Sequence, residues 1–80
     1  MDYEMIMPRI DAEMSEGQII KWRKVEGSKV NKGEIIVEIE TGKVTMEIES
    51  PYTGVLKLVK VKEGEAANIG DVIAVISNNQ

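Results

Sequence analysis

The chain contains no cysteine, no histidine and no phenylalanine. Without cysteine it can form no disulfide, and without either cysteine or histidine it has no metal staple of the Cys/His type. Catalysis by an imidazole acid–base pair or by a thiolate nucleophile is excluded for the same reason. Long hydrophobic runs are also missing. No stretch is long enough to span a bilayer, and Met1-Asp2-Tyr3-Glu4-Met5-Ile6-Met7 lacks the basic start and apolar core of a secretory signal. The expectation is a protein of the cytoplasm, or of the mitochondrial matrix if eukaryotic, with no membrane partner. Positive charge is sparse, with ten basic residues dispersed among fourteen acidic ones and no basic stripe, which argues against a nucleic-acid partner. The densest basic group, Lys57, Lys60 and Lys62, reads as a solvated strand face. What remains is 80 residues with a modest core, one small domain in which each buried residue counts.

Within that length one lysine has a special setting, in Glu40-Thr41-Gly42-Lys43-Val44. On its N-terminal side Ile35-Ile36-Val37-Glu38-Ile39-Glu40 alternates apolar and acidic residues, and Val44-Thr45-Met46-Glu47-Ile48-Glu49 does so on the other. Both have the period of a half-buried strand. With Gly42-Lys43 as the centre of a tight turn, Thr41 faces Val44, Ile39 faces Met46 and Val37 faces Ile48, giving one apolar face. Gly42 is expected to supply a left-handed turn conformation. Glu38 falls opposite Glu47, with Glu40 and Glu49 nearby, so Lys43 stands above an acidic collar. Taken alone, a lysine in such a turn is an ordinary solvated charge.

The wider organisation is an internal repeat at a spacing of 37 positions. Gly17 aligns with Gly54, Glu26-Gly27 with Glu63-Gly64, Asn31 with Asn68, Gly33 with Gly70, Ile36 with Ile73 and Ile39 with Ile76. Two copies of a few short strands separated by glycine turns, with no convincing helical period, predict an all-β fold of two similar halves, a flattened barrel or sandwich. Gly17 interrupts the only helix candidate, Met14 to Val25, and Ile19-Ile20-Lys21-Trp22 suits a strand better. The repeat sets the Lys43 turn and the chain termini at opposite ends. Residues 1–77 are expected to form the domain, with 78–80 as tail or start of a linker.

The residues around Lys43, together with Glu47 and Ser50-Pro51-Tyr52-Thr53-Gly54, resemble the modification hairpin of lipoyl domains of 2-oxoacid dehydrogenase complexes. The likeness takes in Met7-Pro8-Arg9-Ile10, Ser15-Glu16-Gly17-Gln18-Ile19-Ile20-Lys21-Trp22, the Glu26-Gly27 turn and Lys32-Gly33-Glu34, so it runs from about Met5 to Ile76. It implies a barrel-sandwich hybrid of two four-stranded antiparallel sheets with two-fold quasi-symmetry, and lipoate attached to Lys43 through an amide. It also implies a non-catalytic swinging-arm carrier, in which the cofactor does the chemistry and the protein presents it. Glu40, Thr41, Gly42 and Val44 would present the lysine. Asp11, Glu13, Met14, Ser15 and Glu16, in the loop before a strand, would serve partner recognition. The implied partners are a lipoate ligase or lipoyl transferase, a thiamine-diphosphate-dependent dehydrogenase, an acyltransferase catalytic domain and dihydrolipoamide dehydrogenase, with the domain itself monomeric. The loop looks more like pyruvate- or acetoin-type acyltransferases than 2-oxoglutarate-type ones.

The family usually has Asp where this chain has Gly42. Biotin carriers of carboxylases look similar but typically place methionine on both sides of their lysine, whereas Lys43 has Gly42 and Val44. A biotinyl carrier and an unmodified adaptor of the same fold are the alternatives. A Schiff-base enzyme would need Lys43 desolvated in a pocket, which an acidic hairpin tip does not offer. Trp22 and Tyr52 are expected to be structural, and Met5, Met7 and Met46 to fill the core.

Overall fold

The period-two stretches become eight strands in the computed structural model, which describes residues 1–78. They are β1 (Asp2–Ile6), β2 (Glu16–Trp22), β3 (Lys29–Val30), β4 (Ile35–Glu40), β5 (Thr45–Glu49), β6 (Gly54–Val59), β7 (Ala66–Asn68) and β8 (Val72–Ser77). Two antiparallel four-stranded sheets result, in the orders β1-β8-β6-β3 and β5-β4-β2-β7, with no helix among the described residues. A shift of 37 positions carries β2, β3 and β4 onto β6, β7 and β8, and β1 and β5 take the matching edge places, so the two-fold quasi-symmetry read from the glycines is a property of the fold.

Hydrogen bonds follow the same symmetry. Arg23 N donates to Ile36 O at 2.7 Å and Lys60 N to Ile73 O at 2.8 Å, while Gly27 N reaches Leu56 O at 2.7 Å and Gly64 N reaches Ile19 O at 2.8 Å. The glutamate of each Glu-Gly turn crosses to the other half. Glu63 accepts from Trp22 N at 2.9 Å and Glu26 from Val59 N at 2.6 Å. The repeated glycines serve two purposes. Gly27, Gly33, Gly64 and Gly70 have φ between 88° and 92°, the left-handed region that side chains avoid. Gly17 and Gly54 instead allow close approach, since a Cβ on Gly54 would lie 2.4 Å from the Ser77 carbonyl oxygen.

Aliphatic side chains from both sheets meet in the core, with Met7, Ile19, Ile36, Ile39, Leu56, Ile73 and Ile76 fully buried. A register shift between Ile35 and Val37 breaks the strict alternation of β4, and Ile36 and Val37 are both buried. Trp22 packs on the core edge with its indole N–H donating to Val61 O at 2.9 Å, and Tyr52 stacks on Tyr3 with ring centroids 3.9 Å apart. Met5 and Met7 fill the core as expected, but Met46 is 44% exposed because β5 is a sheet edge. Ser77, the last residue of the expected domain, is buried at the end of β8, and Asn78 N donates to Met1 O at 2.8 Å, while 79–80 lie outside the described residues.

Candidate functional site

The β4–β5 hairpin has the register that alternation dictates: Glu40 pairs with Thr45, Ile39 with Met46, Glu38 with Glu47 and Val37 with Ile48. Thr41 N donates to Val44 O at 2.9 Å and closes the ladder above Gly42 and Lys43. The side chain of Thr41 builds the turn. Its buried hydroxyl accepts from Lys43 N at 3.1 Å and Val44 N at 3.2 Å, satisfying two amides that the ladder leaves unpaired. Gly42 does not adopt a positive φ, contrary to the expectation for a tight hairpin, and open space surrounds the position a Cβ would take. The hydroxyl does the work that a left-handed glycine was expected to do.

Lys43 extends from this turn with its side chain 62% exposed, and its ammonium pairs with the Glu13 carboxylate thirty positions away. The loop carrying Glu13 is bonded within itself and to the segment between β7 and β8. Asp11 Oδ1 accepts from Glu13 N at 2.9 Å, Arg9 donates to Ala12 O at 3.2 Å, and Ser15 O accepts from Ile69 N at 3.2 Å. Asp11, Glu13, Ser15 and Glu16 therefore line one shallow cleft of about 260 Å³ with Gly42 and Lys43. Met14 borders the cleft but has a different role. It is buried, and its sulfur accepts from Ile10 N at 2.8 Å, so it anchors the loop and offers a partner little surface.

The acidic collar is not left unopposed. Arg23 bridges Glu38 at 2.8 Å and also binds Glu47, joining the two carboxylates that the register sets face to face. The hydrogen bond to Glu38 is the main cause that holds the Arg23 guanidinium above its usual pKa. Arg23 and Glu13 were the site residues whose contacts sequence spacing could not reveal, because each reaches β4 or its turn from a distant segment. Among the described residues no cluster of carboxylates could hold a metal ion. The arrangement offers one accessible primary amine on a rigid turn, with a bonded loop beside it.

Comparison with known proteins agrees with this geometry. The Biotin_lipoyl family model, described as "Biotin-requiring enzyme", matches residues 3–76. The chain is 40% identical over 77 residues to a chloroplastic dihydrolipoyllysine-residue acetyltransferase component of the pyruvate dehydrogenase complex from Arabidopsis thaliana, covering 96% of this chain and 17% of that one. It is 34% identical to the corresponding component of the acetoin cleaving system of Pseudomonas putida, covering 92% of this chain and 20% of that one. The chain thus spans about a fifth or less of the length of these relatives. Among solved structures, the lipoyl domain of the 2-oxoglutarate dehydrogenase complex from Azotobacter vinelandii superposes with a TM-score of 0.79 at 27% identity, covering 96% of this chain and 98% of that one. A long-chain acyl-CoA carboxylase shares the fold at a TM-score of 0.79 and 18% identity, over 99% of this chain and 7% of that one. With a matched hairpin, an internal repeat and a family match over nearly its whole length, the chain belongs to the biotin- and lipoate-attachment family.

Proposed function

We propose that this chain is a lipoyl carrier domain and that Lys43 is its attachment site. The carrying observation is the position of the Lys43 amine, exposed on a turn that Thr41 rigidifies between two register-matched strands. A ligase can enclose an amine so placed, which a lysine along a strand does not allow. The amine would attack an activated lipoyl carbonyl, expel the activating group and leave its proton with solvent or a base of the ligase. Once bound, the dithiolane supplies acyl transfer as a thioester and redox exchange as a dithiol, and the domain contributes presentation alone. Tethering raises the concentration of the group at its partners.

Names of the relatives favour lipoate over biotin, since they refer to a dihydrolipoyllysine residue. The function we assign is that of a swinging arm within a pyruvate- or acetoin-type dehydrogenase complex. Its partners are then the thiamine-diphosphate-dependent dehydrogenase, the acyltransferase catalytic domain and dihydrolipoamide dehydrogenase, in the cytoplasm or an organelle matrix. Residues 1–77 constitute the carrier unit, and Asp11, Glu13, Ser15 and Glu16 the surface read beside the lysine.

Incubation with lipoate ligase, lipoate and ATP tests the reading. Intact mass should show one added lipoyl group, and peptide mapping should place it on Lys43. Both Lys43→Ala and Lys43→Arg should accept none, because neither presents an acylatable primary amine. Lys43→Ala should nevertheless unfold within about 0.5 kcal/mol of the parent, as befits an exposed side chain in a surface ion pair. A group mapped to Lys32 or Lys62, or preferential acceptance of biotin from a biotin ligase, would overturn the assignment.

A further inference from the structure

Val44, Met46 and Ile48 occupy every second position starting beside Lys43, so they share one face of the strand. Their partners across the hairpin, Thr41, Ile39 and Val37, are all buried, which identifies that face as the inner one. Yet Val44 is 43% and Met46 44% exposed, as β5 ends its sheet. Ile48, packed against the core, also lines a groove of about 390 Å³ between β1 and β5 whose walls are mostly apolar, with Ile6 50% exposed and Tyr52 in the wall, and which Glu4 and Glu49 also border. The alternate residues between Val44, Met46 and Ile48 are Thr45 and Glu47, both polar.

We propose that this apolar track is the resting berth of the acyl arm on Lys43, a tethered aliphatic chain ending in a dithiolane. The inference rests on the carrier reading of Lys43. Length supports it: an extended lipoyl-lysine arm, at roughly 1.25 Å of advance per bond, reaches about 14 Å from its Cα. Lys43 lies in the turn before β5, so the strand rise sets upper limits of about 10 Å to Met46 and about 16 Å to Ile48. The arm therefore has the reach to lay its ring beside Met46 and toward Ile48. Charge supports it as well. The unmodified ammonium is held by Glu13, in the loop that leads into β2, whereas the track lies on β5, across β4 from that strand. Acylation makes the nitrogen a neutral amide, removes the attraction to Glu13 and adds an apolar chain that gains by leaving water.

The test compares unmodified and lipoylated protein by NMR, with peptide mapping of the same sample. Lipoylation should shift the amides of Met46 and Ile48 and give cross-peaks between the dithiolane protons and the Met46 methyl group. Met46→Gln, at an exposed edge position, should lose the lipoylation-induced shift of the Ile48 amide while accepting lipoate as the parent does. Changes confined to residues 42–44 in protein shown to carry the group on Lys43 would overturn the berth and leave the carrier reading standing. Failure of Lys43 to accept lipoate would overturn both. Shifts of Met46 and Ile48 that depend on the concentration of unmodified protein would assign the track to a second copy of the chain, and so also overturn the berth.

Discussion

Thr41→Val isolates what one hydroxyl contributes to presenting Lys43. Valine keeps the shape and burial of threonine but offers no acceptor to Lys43 N and Val44 N, which lie 3.1 and 3.2 Å from the oxygen in the parent. A buried amide left without its partner costs about 1–3 kcal/mol. Both residues are exposed at the turn, so water replaces part of the loss and the expected cost is about 1–2 kcal/mol. In a domain of this size each kcal/mol moves the melting midpoint by about 4–8 °C, so a fall of about 4–16 °C should follow. Thr41→Ser keeps the acceptor and loses only a methyl group, at under about 1 kcal/mol. Thermal unfolding of parent and both variants, followed by circular dichroism, gives the ranking, and the rate of acylation by a ligase should fall in Thr41→Val alone. If Thr41→Val melts with the parent, or Thr41→Ser falls equally far, the hydroxyl is not what holds the turn.

Gly42→Asp should be tolerated or mildly stabilising, by up to about 1 kcal/mol, since the position needs no positive φ and has room for a Cβ. It should also raise the rate of reductive acylation by a cognate dehydrogenase, and a denaturation midpoint lower than the parent's would show that the turn does require glycine. Gly54→Ala should cost about 3 kcal/mol, because its Cβ would press on the backbone oxygen of Ser77 at 2.4 Å, and urea unfolding with an unchanged midpoint would contradict that contact. Stability should be flat between about pH 5 and 7 and decline below about pH 4. No histidine titrates in the upper range, while Asp2, held down chiefly by its hydrogen bond from Lys57, and Glu34, held down chiefly by that from Lys24, have folded pKa values below their unfolded ones. Their stabilisation is complete above the unfolded carboxylate range and disappears as pH falls through the folded values, so melting curves that drop between pH 7 and 5 would refute the account.

The hairpin and the paired halves were legible in the chain itself, because both depend on short-range rules. Side-chain alternation determines which residues face each other in a ladder, and the spacing of Gly27, Gly33, Gly64 and Gly70 marks turns that only glycine enters readily. Lys43 could be singled out for the same reason, since its turn is defined by its immediate neighbours. Contacts made over long separations were decided by the tertiary structure alone. Arg23 reaches Glu38 and Glu47 and so neutralises a collar that alternation makes look repulsive, and Glu13 comes to Lys43 from a separate loop. Met14 and Met46 exchanged their expected places, one buried beneath the loop and the other left open on a sheet edge. Local periodicity specifies the face on which a side chain lies. Whether that face is then covered depends on where the other sheet and the loops come to rest, and only the packing of the whole chain determines that.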